Sequence, residues 1–374
     1  MTEYKMIAPC GFGIEGILAD ELRRLQADNV TAENGRVLFS GDANMLARAN
    51  ICSRFAERIL INVGSFHAES FSELFDAVKQ LPFEEFIGKE DAFPVKGWSL
   101  NSQLHSVPDC QSIIKKAVVE RLKIVYKIEW FPETRAKVQI QFSIMKNQVT
   151  VMIDTSGRGL HKRGYRERSN LAPIKETLAA AMCDQARIFP DTVLYDPFCG
   201  SGTILIEAAL MAKKRAPGAN GFFAAQRFPF IDRRVWIEEQ RRARLLERDE
   251  VDFHAYGFDI DSESVRIAKE NIRKAGVADL VSVEVADIKD FKIAHDRAIV
   301  ITNPPYGERL LDIAESERLY KEMGKVFPVL ANKKYFVISP HEQFEEFFGR
   351  RADKRRKLYN GMIKCQYYMY FRQK

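Results

Sequence analysis

Apolar residues occur along the first 60 positions in short runs at 4–8, 36–39 and 58–63, interleaved with amphipathic stretches at 16–25 and 44–49. The pattern predicts β-α-β-α-β, with strands too few and too short to stand alone, so a small α+β unit packed against something larger is expected. Between 64 and 155 the clearest element is a helix over 111–125, where Ile114, Val118, Leu122 and Val125 fall at helical spacing. Strands at 137–144 and 148–153 follow, with Lys146 and Asn147 between them as a hairpin turn. Residues 155–169, TSGRGLHKRGYRERS, are rich in glycine and arginine and nearly free of aliphatic side chains, and they read as a linker. After it the pattern changes. Apolar strands at 193–195, 254–258, 281–284, 298–302 and 334–338 are separated by helices at 203–212, 262–275 and 317–329. That alternation predicts an open, doubly wound α/β sheet.

A chain of 374 residues is longer than one core usually fills, which implies two or three domains. No apolar run approaches the roughly 18 residues that span a bilayer, and residues 1–10 lack the features of a signal peptide, so a cytoplasmic protein is expected. The six cysteines lie far apart and form no CxxC pair, which argues against a zinc site and a disulfide framework. No metal is expected. Charge is divided unevenly: residues 1–158 hold 19 Lys+Arg against 20 Asp+Glu, leaving 38 against 31 in residues 159–374. The basic excess sits in the second half, where it permits nucleic-acid binding without establishing it.

The strongest local signal is LYDPFCGSGTILIEAALM at 194–211. A strand ends at Asp196, Gly200 and Gly202 make a tight turn, and a helix opens at Thr203, which is the arrangement that binds ligands beyond the carboxyl ends of such a sheet. A dinucleotide fingerprint fits poorly, because its third glycine position is Leu205 and the next strand-end acid, Asp259, is far downstream. In YGFDIDSESVRIAKENIRKAG at 256–276, Asp259 ends a strand where a carboxylate can accept both hydroxyls of a ribose, whereas Asp261 is placed to cap the following helix. Asp287 follows the next strand and could meet an adenine amino group. IVITNPPYGERL at 299–310 delivers Asn303, Pro304, Pro305 and Tyr306 to the same crevice.

DPFCGSGT followed by NPPY resembles the class I S-adenosylmethionine-dependent amino-methyltransferases. HKRGYR at 161–166, APIKETLAAAM at 172–182, NPPYGERL at 303–310 and KLYNGMIKC at 357–365 narrow the resemblance. They are similar to the bacterial THUMP-containing guanine-N2 methyltransferases of 23S ribosomal RNA, once grouped with N6-adenine-specific DNA methylases. The resemblance covers nearly the whole chain and is most specific in its second half. It implies a ferredoxin-like unit at 1–63, a THUMP RNA-binding domain at 64–155, a basic linker at 156–170 and a Rossmann-like methyltransferase domain at 171–374. A second methyltransferase domain, as in the larger enterobacterial relatives, is not expected, so dual activity is not implied.

The implied cofactor is S-adenosylmethionine, held by Asp196, Pro197, Gly200, Gly202, Thr203, Asp259, Asp287 and Asn303. The implied partner is structured RNA, ribosomal or transfer. In the expected chemistry the Asn303 side-chain oxygen and the Pro304 carbonyl each accept a hydrogen of the target amine, whose lone pair is delocalised into the purine. Pro305 stiffens that backbone, and Tyr306 stacks on the base once it has left its helix. Lys115, Lys116 and Lys123 on the 111–125 helix form either a solvated face or a contact for RNA phosphates. Lys162, Arg163, Arg166 and Arg168 in the linker, and Lys354, Arg355 and Arg356 in GRRADKRRK at 349–357, carry the same two readings. Alternatives remain open at this point: a transfer-RNA guanine-N2 methyltransferase, a DNA adenine-N6 methyltransferase, or an RNA-binding adaptor that has lost activity.

Overall fold

The computed structural model describes residues 2–166, 173–306, 312–327 and 332–371. Its chain divides into one unit of Met1–Pro9, Ala19–Leu160 and Asn220–Arg242 and another of Cys10–Leu18, His161–Ala219 and Ala243–Lys374.

The first unit is built on β1 (Tyr4–Pro9), α1 (Glu15–Arg24, divided between the units), β2 (Asp28–Glu33), β3 (Arg36–Gly41), α2 (Ala43–Cys52), β4 (Leu60–His67), α3 (Phe71–Lys79), β5 (Val95–Leu100), α4 (Val107–Tyr126), β6 (Ile140–Met145) and β7 (Gln148–Asp154). Its seven strands form one continuous sheet in the order β2-β3-β1-β4-β7-β6-β5. All neighbours are antiparallel except β5 and β6. The hairpin turn falls at Lys146 and Asn147, both with positive φ (51° and 64°), as a two-residue turn between twisted strands requires. Helix α4 buries Ile114, Val118 and Leu122, but Val125 is exposed at the last turn. Local chemistry sets the helix starts. Asp42 accepts from the Met45 N–H to cap α2, and Ser70 and Glu73 close a capping box on α3.

Residues 220–242 belong to this unit's core. Trp236 is fully buried and stacks on Phe223, Phe230 packs against Tyr4 and Phe86, and Arg48 makes a two-point ion pair with Glu239 at 2.7 and 2.9 Å.

The second unit contains α5 (Glu176–Ala186), β8 (Val193–Asp196), α6 (Thr203–Ala212), the end of α7 (Arg233–Leu245), β9 (His254–Asp259), α8 (Ser262–Ala275), β10 (Val281–Val285), β11 (Ala298–Thr302), α9 (Ile313–Val326), β12 (Lys333–Ser339), α10 (Phe344–Phe348), β13 (Lys354–Asn360) and β14 (Ile363–Tyr370). Its sheet runs β10-β9-β8-β11-β12-β14-β13. The first five strands are parallel and β14 is antiparallel to both its neighbours. Successive strands step outward from β8 through β9 to β10, then return to β11 on the other side of β8. That reversal opens a crevice between the carboxyl ends of β8 and β11, where such sheets bind ligands. Beneath it lies an aromatic core that includes Tyr195, Phe291, Tyr320, Phe327 and Tyr335. Among the described residues no helix is long and apolar enough to cross a membrane.

Candidate active site

At the end of β8, Asp196 is almost fully buried, and its Oδ1 accepts from the Phe198 N–H at 3.1 Å and the Thr302 hydroxyl at 2.7 Å. Thr302 is the last residue of β11, so one carboxylate ties together the two strands that diverge at the crevice. The chain then turns through Gly200 (φ 50°) and Gly202 (φ 79°) into α6. At Gly202 a Cβ would stand 3.3 Å from the Ala268 Cβ in a left-handed backbone conformation, which accounts for glycine there. Cys199 is buried in this turn, and burial beside Asp196 and Asp259 holds its thiol well above the ordinary range, which favours the neutral thiol over the thiolate.

Asp259 ends β9. Its Oδ2 accepts from the Gly200 N–H at 2.9 Å and its Oδ1 from the Asp261 N–H at 3.0 Å. Each oxygen retains a lone pair, so this carboxylate can order the glycine turn and still receive two hydroxyls. Asp261 caps α8, accepting from the Glu263 and Ser264 N–H groups and the Ser264 hydroxyl. Asp287 follows β10, where its Oδ1 accepts from the Lys289 N–H at 3.0 Å.

Asn303 follows β11, and its Oδ1 is buried and without a hydrogen-bond partner among the described residues. A buried amide acceptor left unpaired costs on the order of 1–3 kcal/mol. Tyr306 is buried, and its hydroxyl accepts from the Asn360 side-chain amide at 2.9 Å.

These groups converge. Asp196, Pro197, Gly200 and Thr203 from the first turn, Asp259, Asp287, and Asn303 through Tyr306 line one cavity of about 1260 Å³. Gly202 lies beside it and sets the turn. Pattern reading missed Thr302 and Asn360 as supports. Thr302 is hidden within an apolar strand, while Asn360 stands inside the KLYNGMIKC segment and carries a polar side chain in an otherwise strand-like run. Among the described residues no group of His, Cys, Asp and Glu is arranged to hold a metal ion.

Burial, opposed by the bonds from Thr302 and Phe198 and reinforced by the charge of Asp259, raises the Asp196 carboxyl from 3.8 to about 7. The Asp259 carboxyl is also raised, chiefly by burial. A raised acid binds its proton more tightly folded than unfolded, so stability falls as pH climbs from about 4 to about 7 and levels off above. We expect Asp196→Asn to flatten part of that decline in urea denaturation followed across the window. An unchanged slope would place the titrating group elsewhere.

The basic residues singled out in the sequence are placed as follows. Lys115 bonds to Glu133 at 2.6 Å and to the Phe93 carbonyl at 3.1 Å, Lys123 pairs with Glu129 and Glu120, and Lys116 is exposed near the Phe75 ring. Lys162 is exposed. Arg163 is buried with its Nε 3.6 Å from Glu207, and Arg166 is held by Ile174, Thr203 and Glu176. Arg168 lies outside the described residues. Arg355 pairs with Glu345, Arg356 donates to the Gly13 carbonyl and Gln185, and Lys354 is exposed. Lys354 and Arg356 also line a second cavity, of about 610 Å³, with Arg187 and Lys334.

A family profile described as RMKL-like, methyltransferase domain, matches residues 163–369. The chain belongs to the RMKL-like methyltransferase family. Two further profiles match before it, an RlmL ferredoxin-like domain over residues 5–60 and a THUMP domain over 68–154. The chain is 43% identical to YpsC of Bacillus subtilis (strain 168), provisionally named an RNA methyltransferase, over 99% of this chain and 97% of that one. It is 33% identical to the ribosomal RNA large subunit methyltransferase K/L of Syntrophotalea carbinolica over 97% of this chain, and spans only 53% of that relative's length. Among solved structures, SMU.472, provisionally named a methyltransferase and complexed with S-adenosylhomocysteine, superposes with a TM-score of 0.94 at 40% identity, covering 100% of this chain and 99% of the other. A Listeria monocytogenes protein described as a predicted N6-adenine-specific DNA methylase superposes at 0.92 with 41% identity, covering 100% and 97%. S-adenosylmethionine is the cofactor of this methyltransferase domain. The crevice suits it, with a glycine turn that admits close approach and a strand-end carboxylate with two lone pairs to spare.

Proposed function

We propose that this chain is an RNA methyltransferase that transfers a methyl group from S-adenosylmethionine to the exocyclic N2 amine of a guanine in large-subunit ribosomal RNA, in the cytoplasm. The observation that carries the reading is the Asn303 amide oxygen, buried and unpaired among the described residues at the mouth of β11.

Bound in the cavity, the cofactor supplies a sulfonium-activated methyl group. Asp259 would receive its ribose hydroxyls, Asp287 its adenine amino group, and Asp196 would hold the methionine end. The Asn303 oxygen and the Pro304 carbonyl each accept one hydrogen of the target amine. They orient its nitrogen for in-line attack and stabilise the positive charge that grows on it. Transfer would move the methyl group from sulfur to this nitrogen, with the S–C electron pair staying on sulfur and the surplus proton of the amine going to water. No strong base is required. Tyr306, fixed by Asn360, offers a face for the extruded base.

The ferredoxin-like and THUMP matches, the basic excess of the second half and the names of the relatives support RNA as the substrate. We take residues 1–63, 64–155, 156–170 and 171–374 as its functional divisions, with exposed Lys116, Lys162 and Lys354 as the first candidates for phosphate contact. A DNA adenine-N6 reading draws on the name of the Listeria neighbour and on the NPPY motif, which serves several amino acceptors. Labelled methyl groups offered with unmodified 23S rRNA, transfer RNA and unmethylated DNA separate the readings. We expect incorporation into the ribosomal RNA. Labelling of DNA alone would overturn the proposal.

A further inference from the structure

The segment HKRGYR at 161–166 has a basic composition that suggests solvent or RNA, yet its Arg163, Tyr165 and Arg166 side chains turn into the methyltransferase unit while Lys162 stays exposed. Arg166 is only 13% exposed. One terminal nitrogen of its guanidinium donates to the Ile174 carbonyl at 2.7 Å and to the Thr203 hydroxyl at 3.3 Å, while the other donates to the Glu176 carboxylate at 2.9 Å. The three acceptors have distinct places: Ile174 lines the large cavity, Thr203 opens α6 at the glycine turn, and Glu176 stands in the first turn of α5. One turn further along α6, fully buried Glu207 accepts from the Tyr165 hydroxyl at 2.9 Å. Thr203 and Glu207 are four residues apart and share a helix face, so adjacent residues of the segment grip α6 at two levels.

We propose that Arg166 is a positioning residue for S-adenosylmethionine: it clamps the cavity wall at Pro173 and Ile174 to the glycine turn, and donor affinity depends on that clamp. A planar guanidinium can satisfy three acceptors in fixed directions, whereas an ammonium at that depth reaches fewer of them. Three of its five N–H donors are committed to protein acceptors. The inference concerns the donor alone and stands whatever the methyl acceptor is.

The test uses the full chain carrying Arg166→Lys, Arg166→Ala or Glu176→Gln. S-adenosylhomocysteine binding is measured by calorimetry, thermal melting checks folding, and filter binding reports affinity for an unmodified rRNA transcript. KM for S-adenosylmethionine and kcat are measured on the acceptor that wild type methylates. Arg166→Lys should weaken S-adenosylhomocysteine binding about tenfold, as loss of a charge-assisted hydrogen bond implies, and Arg166→Ala more. Glu176→Gln, which keeps the shape of the pair, should weaken it by a smaller factor. KM for the donor should rise in step, with kcat at saturating donor and RNA affinity close to wild type. If Arg166→Ala does not fold, the Lys and Gln variants decide. Wild-type S-adenosylhomocysteine affinity in a folded Arg166→Lys chain overturns the proposal, as does loss of RNA capture with donor binding intact. A purely structural role would lower the melting temperature without moving KM.

Discussion

Asn303→Ala is expected to slow methyl transfer about a hundredfold or more, while S-adenosylhomocysteine binding stays within a few-fold of wild type. β11 is a buried strand whose Thr302 is locked to Asp196 at 2.7 Å, so the next residue enters the crevice at a fixed point. The Asn303 oxygen there has no partner among the described residues, and the donor's ribose and adenine are assigned to Asp259 and Asp287. Removing a preorganised acceptor from a centre of developing positive charge forfeits on the order of 3 kcal/mol of transition-state stabilisation. Single-turnover rates at saturating donor, on RNA from a strain lacking the gene, measure the effect without interference from product release. Transfer at the wild-type rate would remove Asn303 from the mechanism.

Asp259→Ala should fail earlier, at the binding of the donor. Two ribose hydroxyls lose a charged acceptor, each bond worth about 1.5–3 kcal/mol, which amounts to a hundredfold or greater weakening of S-adenosylhomocysteine binding. The Gly200 and Asp261 N–H groups also lose their partner, which loosens the turn itself. Asp259→Asn keeps one acceptor oxygen and should fall between the two. The contrast with Asn303→Ala is the informative part: one variant binds without reacting, and the other reacts only when flooded with donor. Calorimetry on both proteins separates the two effects, and equal donor affinity in Asp259→Ala and wild type would place the ribose elsewhere.

Strands β8, β9, β10 and β11 were legible because a distinctive group, Asp196, Asp259, Asp287 or Asn303, stands at or just past the carboxyl end of each, whereas β12 was read from its apolar run alone. The elements that escaped share a physical cause. β2 is exposed along nearly its whole length and therefore shows no alternation of apolar and polar residues. β13 is an edge strand whose Lys354, Arg355 and Lys357 face solvent. Charge on such an edge discourages pairing with another chain, and in sequence it resembles a solvated loop. The guanidinium groups of Arg163 and Arg166 mislead in the opposite direction, since their carboxylate partners Glu207 and Glu176 sit in helices that read as plainly apolar. A division near residue 158 also hides Trp236, Phe223 and Phe230, whose neighbours come from the first unit. A chain begun near residue 159 would strand these rings in water, so donor-binding tests belong on the full protein.

The methylated atom can be identified in the cell. Nucleoside mass spectrometry of large-subunit rRNA from a strain lacking the gene, and from the same strain carrying the wild-type or the Asn303→Ala gene, measures it directly. N2-methylguanosine should fall by one site in the deletion strain, return with the wild-type gene and not return with Asn303→Ala. An unchanged N2-methylguanosine content, or loss of N6-methyladenosine in its place, would contradict the guanine-N2 assignment.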